Sequence, residues 1–186
     1  FFRPNYERGI LLYYLVKEKN LKSILEIGFG RGYGTLCMAK ALCDFGIDGT
    51  ITTVDPSFNN EHINNMFKIF PREWFEKINF INATSSDFYS NNSEEKFDFI
   101  FIDGDHRYEY VKKDWEYASK NCKKLVLFDD YHMPTKDEKD IDVSKVVDDI
   151  KEYEKELIIM DRRMFFDDRQ IPDDKVDYGQ VLVGIS

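Results

Sequence analysis

Two apolar runs in this chain end in acids. The first is Phe99-Ile100-Phe101-Ile102, followed by Asp103-Gly104-Asp105-His106-Arg107-Tyr108; the second is Leu125-Val126-Leu127-Phe128, followed by Asp129-Asp130-Tyr131-His132. Runs of this kind read as strands buried on both faces of a parallel sheet, and neighbouring parallel strands present their carboxyl ends to one crevice. Asp103, Asp129 and Asp130 then converge. Three carboxylates in one cleft repel one another unless protons or a cation compensate them, and an all-oxygen set suits Mg²⁺, Ca²⁺ or Mn²⁺ rather than zinc. The competing reading is that Asp105 and Asp130 only cap helices and solvate strand ends, where acids are favoured in any case.

A second constellation lies upstream in Ile24-Leu25-Glu26-Ile27-Gly28-Phe29-Gly30-Arg31-Gly32-Tyr33-Gly34-Thr35, a buried strand that enters a glycine turn and then a helix. Glycines let backbone approach a ligand closely, and a helix amino end favours an anionic group. The dinucleotide fingerprint G-x-G-x-x-G fails, because counting from Gly28 or Gly30 puts Tyr33 or Thr35 in the last place. What stands is Glu-x-Gly-x-Gly-x-Gly, whose acid, Glu26, can hold the ammonium of an amino-acid-like ligand. The next strand ends at Asp55, where a carboxylate can take two ribose hydroxyls as donors. A ligand with both a ribose and an amino-acid moiety is called for, and S-adenosylmethionine has both. The plainer alternative makes the glycines a tight structural turn and Asp55 a solvated strand end.

These residues need a scaffold that alternates strand and helix. Strands are expected at Ser23 to Gly28, Thr50 to Asp55, Ile78 to Asn82, Phe97 to Asp103, Leu125 to Asp129, Leu157 to Asp161 and Gln180 to Ile185. Between them Tyr108, Val111, Trp115, Ala118 and Cys122 fall on one helical stripe, and Val143, Val146, Val147, Ile150 and Tyr153 on another. Weaker helical patterns cover Arg8 to Lys19, Tyr33 to Phe45 and His62 to Phe70. Met133 to Asp142, charged and carrying Pro134, reads as a loop. The alternation predicts an α/β fold with a largely parallel sheet.

Composition narrows the function further. With 186 residues and 42% hydrophobic content, residues 1–186 are expected to form one domain with a real core. The 26 basic residues against 35 acidic ones give a net charge of −9, which repels phosphate backbones and argues against a nucleic-acid partner. Cys37, Cys43 and Cys122 lack metal or disulfide spacing, and a reducing cytoplasm fits. The apolar run Ile10 to Val16 falls far short of the roughly 20 residues that span a bilayer, so no membrane partner is expected. The chain starts at Phe1 rather than Met, which leaves residues ahead of it open.

From Ile24 to Ile185 the sequence resembles the class I S-adenosylmethionine-dependent methyltransferases. That resemblance implies a Rossmann-like, doubly wound seven-stranded sheet in order 3-2-1-4-5-7-6, with the last strand antiparallel and helices on both faces. It also implies cofactor contacts from Glu26, Gly28, Phe29, Gly30, Gly32, Tyr33, Asp55 and Asp103, with Thr84 and Ser85 bordering the adenine. Thr84 or Ser85 has an equal alternative use as the cap of a helix.

Through Asp103-Gly104-Asp105-His106-x-Tyr108 and Asp129-Asp130-Tyr131 the chain is most similar to the metal-dependent O-methyltransferases. Within these it looks like the macrocin O-methyltransferase and cephalosporin-hydroxylase-like group. The likeness implies metal ligation, by Mg²⁺ or another hard divalent ion, through Asp103, Asp129 and Asp130. It places His106, with Asp103, in the catalytic set. Where catechol-type enzymes have a lysine base, this chain has His106, which near neutral pH can accept a hydroxyl proton or else act as a cap or supporting residue. His132 is a weaker candidate and His62 reads as exposed. The activity implied is O-methylation of a small-molecule hydroxyl on a sugar, diol or catechol-like compound; a metal-independent enzyme and a non-catalytic cofactor-binding protein are the rivals. Relatives of the macrocin type carry an N-terminal lid with no counterpart read in this chain, and a homo-oligomer is left open.

Overall fold

A computed structural model describes residues 5–131, 142–160 and 178–185. Its elements run α1 (Tyr6–Glu18), β1 (Ser23–Ile27), α2 (Tyr33–Asp44), β2 (Thr50–Val54), α3 (Asn60–Ile69), α4 (Arg72–Phe75), β3 (Ile78–Ile81), α5 (Ser85–Asn91), β4 (Phe97–Ile102), α6 (Tyr108–Asn121), β5 (Cys122–Phe128), α7 (Val143–Asp149), β6 (Lys155–Met160) and β7 (Tyr178–Gly184). The strands form one sheet in the order β3-β2-β1-β4-β5-β7-β6. Strands β1 to β5 pair in parallel, and β7 runs antiparallel to both β5 and β6, as expected from the sequence.

Side chains alternate across this sheet. Ile24, Ile51, Phe99, Phe101 and Leu127 pack with α1 and α2 on one face, while Leu25, Ile27, Ile100, Ile102, Val126 and Phe128 pack with α6 and α7 on the other. Period-two alternation in strands covered on both sides yields the continuous apolar runs that made them legible. Short polar side chains start several helices: Asn5 Oδ1 accepts from the Arg8 amide at 3.0 Å, and Asn59 Oδ1 accepts from the His62 amide at 3.0 Å.

Three expectations need correction. β5 begins at Cys122, directly after α6, so Cys122 leaves the helical stripe and heads a strand. The buried face of α6 is Val111, Asp114, Tyr117, Ala118 and Asn121, with Trp115 only half-buried, because Tyr89 and Tyr117 stack at 4.1 Å and the Tyr89 hydroxyl donates to Asp114 at 2.8 Å. The helix expected through Tyr153 ends at Asp149. His132, most of the Met133 to Asp142 segment and Asp161 lie outside the described residues. Among the described residues no helix is long and apolar enough to cross a membrane.

The carboxyl ends of the central strands are level. Beyond the last paired residues, the Gly28 amide donates to Val54 O at 2.9 Å, the Asp103 amide to Ile27 O at 2.8 Å and the Asp129 amide to Ile102 O at 3.0 Å. Gly28 therefore abuts Asp103: a Cβ on Gly28 would lie 2.0 Å from the Asp103 carbonyl oxygen, and its φ is +94°. The backbone that approaches this glycine is the chain's own. Gly30, at φ +53°, has nothing within 4 Å of its Cβ position and is the turn glycine open to a ligand. Gly28→Ala is expected to destabilise the fold by about 3 kcal/mol or more in chemical denaturation, whereas Gly30→Ala costs only about 1–2 kcal/mol from the left-handed backbone. Equal losses would remove the backbone contact as the reason for Gly28.

Candidate active site

Glu26 is the fourth residue of β1 and, by strand alternation, points beneath α2 with only 1% of its surface exposed. Its Oε2 accepts from the Thr53 hydroxyl at 2.7 Å and from the Thr35 hydroxyl, while its Oε1 lies against Gly34. Burial pushes the Glu26 carboxyl up to about 7, against the pull of the two threonine hydroxyls and of the Arg8 charge. A cavity of about 300 Å³ opens beside it, lined by Arg8, Glu26, Phe29, Gly30, Arg31, Tyr33, Gly34 and Asp103.

Asp55 closes the other side of the glycine turn. Its Oδ2 accepts from the Phe29 amide at 3.0 Å and the Gly30 amide at 3.2 Å; its Oδ1 accepts from the Ser57 amide at 2.8 Å and hydroxyl at 2.6 Å. Burial raises the Asp55 pKa, but these four donors outweigh it and hold the carboxyl below the usual range. They occupy the acceptor capacity a carboxylate has. The Phe29 ring packs on Phe58 and Phe80, at 5.0 and 5.6 Å between centroids, and covers Gly32 of the same turn. Tyr33 opens α2, with its hydroxyl where a Cβ on Gly9 would fall, 2.4 Å away. Burial lifts the Tyr33 phenol to about 12, so it stays a donor. Gly32 is the amino cap of α2.

Thr84 and Ser85 sit at the start of α5. The Thr84 hydroxyl caps α5, accepting from the Asp87 amide at 3.1 Å and donating to the Asp87 carboxylate at 2.7 Å. Ser85 bonds to Tyr89 and Asp114 instead, and Asp114, buried under α5, is lifted to about 6 by that burial. His62, expected to be exposed, is half-buried, with Nε2 3.1 Å from the Arg31 carbonyl.

On the far side of Gly28 sits the acid cluster. Asp103, His106 and Asp130 each offer a ligand atom, all within 4.8 Å of one another. His106 Nδ1 is 3.4 Å from Asp130 Oδ2, and Asp130 is held with φ +52°. Asp129 adjoins that trio through Arg8. It is 4% exposed, its Oδ1 accepts from Gln180 Nε2 at 2.8 Å, and its Oδ2 accepts from Arg8 Nη1. The same Arg8 nitrogen donates to Asp103 Oδ2 at 2.9 Å. Burial, followed by the neighbouring Asp129, pushes the Asp103 carboxyl well above the carboxylate range, with Arg8 pulling it down.

Arg8 is the site residue that sequence reasoning missed. Its signal was a charged residue on the stripe it shares with the buried Leu12 and Leu15, at spacings of four and three. Burial would lower the Arg8 pKa, but Asp103 and Asp129 raise it, so the guanidinium stays charged.

The raised Glu26 pKa gives stability a pH slope. The folded chain binds that proton more tightly than the unfolded one, so stability falls as pH climbs from the ordinary value of 4.5 through about 7 and then levels. The loss is on the order of 3 kcal/mol. Glu26→Gln is expected to flatten that slope in melts recorded from pH 4.5 to 8; an unchanged slope would place the titration elsewhere.

Comparison with known proteins agrees with this geometry. Residues 25–131 match the family described as Methyltransferase domain. The caffeoyl-CoA O-methyltransferase of Populus kitakamiensis is 33% identical over 103 residues, which make up 53% of this chain and 42% of that protein. The chain thus spans less than half the length of this curated relative. Cofactor-bound Rv0187 from MTB superposes with a TM-score of 0.73 at 15% identity, covering 99% of this chain and 82% of that one. The O-methyltransferase from Bacillus cereus in complex with SAH gives 0.69 at 18% identity, over 97% and 82%. These two show the shared fold. A glycine turn over a buried glutamate, on a sheet of this order and with the family match spanning both, leads to one conclusion: the chain belongs to the methyltransferase-domain family and is a class I S-adenosylmethionine-dependent methyltransferase domain.

Proposed function

We propose that this chain is an O-methyltransferase that binds S-adenosylmethionine in the cavity under the glycine turn and methylates a hydroxyl of a small molecule bearing two adjacent oxygens, of sugar or catechol type. The observation that carries the reading is the abutment of Gly28 on Asp103, which sets the Glu26 cavity directly beside the Asp103–His106–Asp130 cluster. Glu26 lines the cavity, and its Oε1, beside Gly34, would partner the ligand's ammonium, which would favour the ionised carboxyl. The open Gly30 lets backbone approach the ligand, and Ser57, two residues after Asp55, supplies the donor pair that a ribose diol would replace. The caffeoyl-CoA relative supports oxygen as the acceptor.

The donor set also suits a divalent ion. Asp103 and Asp130 would hold it, with His106 alongside; when bound, such an ion lowers the pKa of an acceptor hydroxyl and orients it. His106, turned by Asp130 through Nδ1, takes the hydroxyl proton. The same 4.8 Å clustering favours a second reading in which His106 is itself a ligand, and a nitrogen donor then shifts preference from Mg²⁺ toward Mn²⁺ or Co²⁺.

Two measurements test these assignments. Asp55→Ala is expected to weaken S-adenosylmethionine binding in calorimetry by about 1.5–3 kcal/mol, the worth of a charge-assisted bond; unchanged affinity would end the ribose role. Asp130→Asn is expected to weaken Mn²⁺ binding, whereas His106→Ala retains Mn²⁺ and loses roughly 10²–10⁴ in kcat. Equal metal loss in both variants would establish the ligand reading, and full activity in His106→Ala would exclude a protein base.

A further inference from the structure

The acid centre already contains a cation. Arg8 reaches it from the first turn of α1, across 95 residues of sequence to Asp103 and 121 to Asp129. It is aimed there by the scaffold: Asn5 caps the helix at the Arg8 amide, and Gly9 leaves room for the Tyr33 hydroxyl, seating α1 tightly on α2. Yet the pairing uses little of what a guanidinium can offer. One nitrogen, Nη1, serves both carboxylates, while the buried Nε has no hydrogen-bond partner among the described residues. A fork-to-fork pair is stronger and geometrically fixed; this one is a point-charge contact that another cation can replace.

Asp103 is the shared member. It belongs to the Arg8 pair and to the Asp103–His106–Asp130 cluster, so a dication on the cluster and a guanidinium on Asp103 repel each other across one carboxylate. We propose that Arg8 is a resident counter-ion that competes with a divalent ion for the acid centre, so that the seating of α1 sets how tightly this chain binds its metal. The inference rests on the metal reading above and adds to it a positioning residue from outside the strand-end motifs. Reciprocity follows: an ion that weakens the Arg8 contacts loosens the first turn of α1.

The test is Mn²⁺ binding by calorimetry and electron paramagnetic resonance on wild type, Arg8→Gln and Arg8→Lys. Arg8→Gln is expected to bind Mn²⁺ roughly tenfold or more tightly, since it removes a positive charge beside the ion. Arg8→Lys keeps a point charge and is expected to stay within about threefold of wild type. In wild type, Mn²⁺ is expected to speed hydrogen exchange at the start of α1, an effect Arg8→Gln lacks. Equal or weaker Mn²⁺ binding by Arg8→Gln overturns the counter-ion role while leaving the metal reading intact. No Mn²⁺ binding by any of the three chains at millimolar concentration overturns both. If bare acids destabilise Arg8→Gln, its melting temperature is expected to recover with Mn²⁺ more than wild type gains, and failure to recover counts against the proposal.

Discussion

Carboxylates crowd the carboxyl edge of the parallel sheet, and the way each is neutralised organises everything around it. Glu26, Asp55, Asp103, Asp129 and Asp130 all lie at or near the ends of three strands, β1, β2 and β4, and of their neighbour β5. Taken out of water, each charge is costly unless donors or cations meet it. The chain uses a different device at each position. Two threonine hydroxyls and a raised pKa serve Glu26; four amide and hydroxyl donors serve Asp55; an arginine and a glutamine serve Asp129. Asp103 shares one arginine nitrogen with Asp129 and stands beside His106 and Asp130.

These devices separate the edge into two functional halves. Around β2 the four donors on Asp55 come from the chain itself, while Glu26 on β1 has its two threonine donors on Oε2 and keeps Oε1 for a ligand. Around β4 and β5, Asp103 and Asp129 share a single arginine nitrogen that comes from a helix far away in the sequence. A pre-formed half suits recognition of a fixed ligand, since little ordering remains to be done on binding. The other half, with Arg8 as the proposed counter-ion, would suit a partner that comes and goes.

Much of this was legible in the sequence because strand ends announce themselves: a continuous apolar run cannot continue past a charged residue without burying it. Asp55, Asp103 and Asp129 were found that way, and sheet order followed from the family resemblance carried by the same motifs. What escaped was set by contacts rather than by pattern. Arg8 looks like any helix residue until α1 docks on α2, and Asp114 looks like a solvated face until Tyr89 reaches across from α5. Thr84 and Ser85 were ambiguous for a different reason: a hydroxyl at a helix start serves a cap or a ligand equally well, and Thr84 caps α5. Gly28 was singled out, and its approach to Asp103 was not foreseen, since nothing in a glycine pattern tells whether the backbone it admits is a ligand's surroundings or an adjacent strand.

The Gly28 contact also determines how the two halves relate. Side chains can adjust by rotating, and a distance between two subsites set by side chains alone would be soft. Here the glycine turn and the first residue of the acid centre touch backbone to backbone, with the Asp103 amide bonded to Ile27 O and its carbonyl filling the space a Cβ at Gly28 would need. Both residues directly follow the ladder between β1 and β4, which is buried on both faces and has no freedom to slide without breaking register. In the proposed reaction, transfer between two bound molecules depends on holding donor and acceptor at one separation, and small displacements cost rate steeply. The sheet supplies that separation as a property of strand pairing, which leaves the side chains at the edge free to differ in charge, ligand and acceptor without disturbing it.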